Sequence, residues 1–159
     1  MAKETYSVLL ADDSEDDRLF MRLAIARNPR LTIVGEVSDG EDAISYLAGK
    51  GDFADRAQHP FPDLLLLDLK MPKKTGHEVL EWLNRQPFDK LFVAVVSGSF
   101  LVQDVQRSMN LGAHAYYKKN ALKEEQEAMI RHITLALDDG TLAKKLPPQR
   151  SLGARKENS

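Results

Sequence analysis

The chain has 159 residues, 43% of them hydrophobic and 29% charged, with a formal net charge of −2. That length suits one domain with its own core, and the near-neutral charge offers no electrostatic case for binding nucleic acid or a membrane surface. There is no cysteine, which excludes disulfides, thiolate metal sites and a thiol nucleophile.

From the N-terminus, Met1 to Tyr6 lacks the apolar stretch of a signal peptide. The longest apolar run, Leu91 to Val96, is far too short to cross a bilayer. A cytoplasmic protein with no membrane partner is expected. Ser7 to Ala11 is a short apolar run ending in Asp12-Asp13, a first buried strand. Ser14 stands as a helix N-cap, with Glu15, Asp16 and Asp17 in the first turn, where the helix dipole favours acids. Leu19, Phe20, Leu23 and Ala24 follow at helical spacing, and Asn28-Pro29 ends the helix. Leu31 to Val37 is β-branched and predicts a second strand. Asp39-Gly40 makes a turn, and Ala43, Ile44 and Leu47 share one face of a second helix. Gly49 to Pro62 predicts a long surface loop.

Asp63-Leu-Leu-Leu-Leu-Asp-Leu-Lys-Met-Pro72 is the most informative stretch. Four consecutive leucines fit neither a period of 2 nor one of 3.6, so they predict a strand buried on both faces of a parallel sheet. Beyond the turn through Pro72 and Gly76, Val79, Leu80, Trp82 and Leu83 mark a third helix. Leu91 to Val96 is a fourth strand ending at Ser97-Gly98-Ser99. Leu101, Val102, Val105, Met109 and Leu111 give a fourth helix, with Gly112 as its C-cap. Ala115 to Tyr117 is a short fifth strand before Lys118-Lys119-Asn120. Leu122 to Leu137 is a fifth helix with Met129, Ile130, Ile133 and Leu137 facing inward. From 139 to 159 the chain reads as a mobile polar extension, with a short apolar docking piece at Leu142 to Leu146.

Five strands alternating with five helices predict an α/β fold, a parallel sheet covered on both faces. Its carboxyl edge is where such sheets place their chemistry. Four strands end there in polar groups: Asp12 and Asp13, Asp68, Ser97 and Lys119. Each has an ordinary reading alone. The acids can cap turns, Ser97 can cap a loop and Lys119 can be a solvated lysine. Together, three carboxylates repel one another unless a cation joins them, and a hard dication such as Mg²⁺ suits oxygen donors. With that ion and Lys119 as electropositive groups, one carboxylate can act as a nucleophile on phosphorus. Ser97 would donate to a phosphoryl oxygen, for which Gly98 leaves room.

Leu10-Ala-Asp-Asp-Ser14, Leu67-Asp-Leu-Lys-Met-Pro72 with Gly76, Val96-Ser-Gly98 and Gly112-Ala-His-Ala-Tyr-Tyr-Lys-Lys119 resemble the receiver domain of two-component response regulators, over residues 6–138. The resemblance implies a flavodoxin-like (βα)5 doubly wound sheet of order 2-1-3-4-5. It implies a Mg²⁺-dependent phosphoacceptor, Asp68, served by a partner histidine kinase and sharing in its own phosphotransfer and dephosphorylation, rather than a conventional enzyme. Asp12, Asp13, Asp68 and the backbone carbonyl of Lys70 would hold the ion. Ser97 and Lys119 would contact the phosphoryl group, and Tyr116 would move with Ser97. The signalling surface would be the fourth helix, fifth strand and fifth helix.

One departure stands out. Receivers usually carry a cis-linked proline after the lysine, and here Asn120 follows, which leaves either a trans bond or a costly cis one. With the long 49–62 loop and Lys73-Lys74, this resembles the short response regulators of phytochrome-type histidine kinases, which implies a homodimer through the signalling surface. About twenty residues after 138 are too few for a DNA-binding domain, so output would pass through protein contacts or phosphotransfer. A haloacid-dehalogenase-type phosphatase would need a second aspartate where Lys70 stands. A pseudo-receiver acting only as a binding module is the other alternative. Lys70 and Ser99 lie at the rim, where a long cation can slow hydrolysis. Asp17 is read only as a first-turn acid, and His59, His77, His114 and His132 as surface residues.

Overall fold

The computed structural model describes residues 3–120 and 122–140; the expected docking piece at Leu142 to Leu146 lies outside the described residues. Strands β1 (Tyr6–Ala11), β2 (Leu31–Val37), β3 (Leu64–Leu67), β4 (Phe92–Ser97) and β5 (Ala115–Lys118) alternate with helices α1 (Glu15–Ala26), α2 (Gly40–Ala48), α3 (Gly76–Leu83), α4 (Val102–Asn110) and α5 (Lys123–Asp139). All pairings are parallel and the order is β2-β1-β3-β4-β5. This is the flavodoxin-like arrangement anticipated from the alternation and the resemblance. No described helix is long and apolar enough to cross a membrane.

The leucine run shows why the sheet is central. Leu65 and Leu67 join Leu9, Val93 and Val95 under α2 and α3, where Ala43, Leu47, Val79 and Leu80 are buried. Leu64 and Leu66 join Val8, Leu10 and Phe92 under α1 and α5, with Ile25, Ile130 and Ile133. All four leucines are at most 1% exposed. Burial of this kind stabilises by about 2 kcal/mol per leucine, so the middle strand anchors both layers and fixes where Asp68 emerges.

Two helices differ from expectation. In α1 the buried stripe is Met21, Ala24 and Ile25, whereas Leu19, Phe20 and Leu23 are exposed. Two apolar stripes fit this helix. The observed phase buries Met21, Ala24 and Ile25 and also brings Arg22 Nε to 2.7 Å from the Glu36 carboxylate on β2. In α4 only Ser108 is buried, and Leu101, Val102 and Met109 face outward, so α4 rests lightly on β5 and α3. The 49–62 segment is more ordered than a plain surface loop. It contains a short 3-10 turn, Gly51–Phe53, and Arg56 donates from Nη1 to the Tyr46 carbonyl (2.8 Å) and from Nη2 to the Leu47 carbonyl (2.9 Å).

Three of the four histidines also depart from the surface assignment. His77 is buried, with Nε2 3.0 Å from Ser108 Oγ, which links α3 to α4. His114 is half-buried, and its Nδ1 accepts from the Val93 amide (3.0 Å). His59 is half-buried against Tyr46 and Phe53. His132 is exposed and meets the Tyr117 hydroxyl.

At the edge opposite the expected site, Asp138 near the end of α5 accepts from the Tyr6 hydroxyl (2.7 Å) and from Arg30 Nη2 (2.6 Å). Asn28 Nδ2 donates to Thr134 Oγ1 (3.3 Å) one helical turn earlier. These contacts tie the base of α5 to the start of β1 and the α1–β2 turn.

Candidate functional site

The parallel register delivers the predicted groups to one edge. Asp12 follows β1 and donates its amide to the Val37 carbonyl (3.0 Å), while Asp68 follows β3 and donates its amide to the Ala11 carbonyl (2.9 Å). Ser97 is the last residue of β4, and its carbonyl accepts from the Lys119 amide (2.8 Å) just beyond β5. Backbone bonding alone thus sets the four loops side by side. Gly76 makes this possible at the mouth of α3, since a Cβ there would stand 2.3 Å from the Asp68 carbonyl oxygen. Thr75 and Glu78 close a capping box over the same turn.

Carboxylate oxygens of Asp12, Asp13 and Asp68 lie within 4.8 Å of one another. Asp12 and Asp68 are 6% and 5% exposed, and Asp13 is open to solvent. Lys119 Nζ reaches Asp12 Oδ2 at 2.9 Å, Asp68 Oδ2 at 3.3 Å and Asp17 Oδ2 at 2.7 Å. Four carboxylates therefore face one ammonium, an excess of three negative charges. Burial pushes the Asp68 carboxyl up from 3.8 to about 6; Lys119 pulls it down, Asp12 pushes it up, and hydrogen bonds from Lys119 and the Lys70 backbone lower it. Burial acts to lower the Lys119 ammonium, but its bonds to Asp17 and Asp12 and the charges of Asp68 and Asp12 outweigh this and raise it. The donor set is all oxygen, partly buried and over-charged, which fits a hard dication with one open, wet side at Asp13.

Ser97 is buried, and its Oγ accepts from the Ser99 amide (3.1 Å). The Ser99 hydroxyl donates to the Asp104 carboxylate in the first turn of α4, and the Ser99 carbonyl accepts from the Tyr116 hydroxyl (2.6 Å). Ser97, Ser99, Asp104 and Tyr116 are thus one connected group. Lys70 is exposed on the β3–α3 loop. A cavity of about 650 Å³ opens beside the carboxylates, with Phe20, Met21, Tyr117 and Met129 in its wall. The Lys119–Asn120 bond is trans, as are the other described peptide bonds. Asp17 and Asp104 are the site neighbours that strand-end reasoning missed. Asp17 lies in the first turn of α1, and its partner Lys119 is 102 positions away, so local sequence gives no signal of the pairing.

Residues 8–131 match the response regulator receiver domain. The chain belongs to that family. Among receiver proteins it is 33% identical to the nitrate/nitrite response regulator NarL of Escherichia coli K12 over 123 residues, covering 77% of this chain and 52% of NarL, so it spans about half of that relative. It is 30% identical to response regulator Rcp1 of Synechocystis over 130 residues, covering 79% of this chain and 84% of Rcp1. The phosphorylated cyanobacterial phytochrome response regulator RcpA shares the receiver fold, with a TM-score of 0.72, 30% identity and coverage of 81% of this chain and 91% of that one.

Proposed function

We propose that this receiver is a phosphorylation switch whose acceptor is Asp68. The observation that carries the reading is the position of Asp68. It is a buried carboxylate at the meeting point of the acid cluster and the Lys119 ammonium. In the transfer, an Asp68 carboxylate oxygen attacks phosphorus while the bond to the donor breaks. The donor, a histidine imidazole of a partner kinase or the acetate of acetyl phosphate, leaves with the electron pair. Mg²⁺ held by Asp12, Asp13, Asp68 and the Lys70 carbonyl would supply charge neutralisation. Lys119 and Ser97 stabilise the phosphoryl oxygens. Likeness to Rcp1 and RcpA supports a phytochrome-type histidine kinase as the partner.

The connected group around Ser99 supplies the output. When Ser97 turns toward a phosphoryl oxygen, its bond to the Ser99 amide is given up. That loosens the hold of Ser99 on Asp104 and Tyr116, and shifts the α4–β5–α5 face. That face displays Leu101, Val102 and Leu122, each more than half exposed, which suits a homodimer of the phosphorylated form.

The deciding experiment is intact mass after incubation with Mg²⁺ and acetyl phosphate. The wild-type protein gains one phosphoryl mass and Asp68→Asn gains none. A folded wild-type protein that gains nothing would instead support a phosphorylation-independent binding module.

A further inference from the structure

Lys119 presents three N–H donors, and in this structure three carboxylates take them. The shortest contact goes to Asp17 at 2.7 Å, ahead of Asp12 at 2.9 Å and Asp68 at 3.3 Å. Asp17 differs from the other two in kind. It lies outside the cluster whose oxygens converge as a cation site. It comes from a helix rather than a strand end, and its side chain is 39% exposed. It is also firmly placed, because its amide donates to the N-cap Ser14 Oγ (3.2 Å). Lys119, in turn, sits in a loop held on its other side by Asn120, whose Oδ1 accepts from the Leu122 amide (2.8 Å) and whose carbonyl accepts from Gln126 Nε2 (2.8 Å).

The three contacts do not survive the proposed reaction equally. A dication on Asp12, Asp13 and Asp68 draws on the same oxygens that hold Lys119. Once Asp68 is an acyl phosphate, its remaining carbonyl oxygen is neutral and binds an ammonium more weakly. Asp17 lies outside the cation cluster and is not phosphorylated, so neither event draws on its carboxylate. Resting on the phosphorylation proposed above, we infer that Asp17 is a positioning residue. It holds the Lys119 ammonium at the sheet edge independently of the metal-binding acids, and the long Asp68 contact is the one surrendered to the incoming phosphoryl oxygen. Asp17 touches neither phosphorus nor donor and acts only through Lys119.

The test is a double-mutant cycle of wild type, Asp17→Asn, Lys119→Ala and the double variant, with thermal unfolding to show that each is folded. The rate of phosphoryl addition from acetyl phosphate at saturating Mg²⁺ falls about tenfold in Asp17→Asn, the scale of one lost charge-assisted hydrogen bond. It falls further in Lys119→Ala, and the double variant matches Lys119→Ala. Asp17→Glu recovers most of the rate. The second readout needs no phosphodonor: calorimetric titration with Mg²⁺ alone. Without Asp17, Lys119 leans on Asp12 and Asp68 and competes with the ion, so affinity drops several-fold in Asp17→Asn, but not when Lys119 is already alanine. Unchanged Mg²⁺ affinity in Asp17→Asn, or a loss that persists undiminished without Lys119, overturns the inference. A wild-type protein that takes no phosphoryl group defeats the proposed function instead, and the Mg²⁺ cycle then decides on Asp17 by itself.

Discussion

At the scale of single residues, Asp68 holds a penalty that function can use. Its folded carboxyl sits near 6 against an ordinary 3.8, because burial outweighs the attraction of Lys119. The folded state therefore binds this proton more tightly than the unfolded chain. The charged form destabilises the metal-free fold at neutral pH by about 3 kcal/mol, and the cost fades as pH falls from 6 toward 4. In EDTA, Asp68→Asn is thus expected to melt above wild type at pH 8, with the gap closing by pH 4. A gap independent of pH would count against the buried charge as its cause. Added Mg²⁺ should raise the wild-type melting temperature and leave Asp68→Asn nearly unmoved. These acids were legible because each follows an apolar strand, and a parallel sheet has only one carboxyl edge. Asp17 was not, since its partner Lys119 lies 102 positions away and no local pattern announces it.

At the scale of elements, α4 is lightly held, with Ser108 its one buried residue. Its N-cap, Leu101, has no side-chain cap bond. The first turn relies on Ser99, which donates to Asp104 and accepts from the Leu101 amide (3.4 Å). Ser99→Ala removes both, at a cost of about 1 kcal/mol. Amides 102–105 should then exchange with solvent several-fold faster while those of β4 stay protected. Unchanged exchange at 102–105 would refute Ser99 as the tether. The strands were readable because continuous apolar runs admit one answer. The faces of α1 and α4 were not, because several apolar stripes fit each helix. In the fold, Arg22 of α1 pairs with Glu36 of β2, and Ser108, not an apolar residue, is the buried position of α4, and neither contact is visible in the helical periodicity.

At the scale of the whole molecule, the two apolar layers followed from alternation and the strand order from the receiver resemblance, whereas the burial of His77 and the packing of Arg56 depend on contacts that only the assembled fold creates. Light scattering should show a monomer without phosphodonor and a dimer with Mg²⁺ and acetyl phosphate. Val102→Asp, at a position 67% exposed, should accept the phosphoryl group normally and remain a monomer. A Val102→Asp variant that still dimerises would place the interface elsewhere.

The tie between Asp138, Tyr6 and Arg30 gives α5 a mechanical character. The helix is pinned at its base and borders the open cavity along its upper half, where Glu125 and Met129 lie. Its anchored end lies at the edge of the sheet farthest from the carboxylates. Any small rotation about that end would leave residues near Thr134 in place and carry the start of the helix, beside Asn120 and Lys119, through the widest arc.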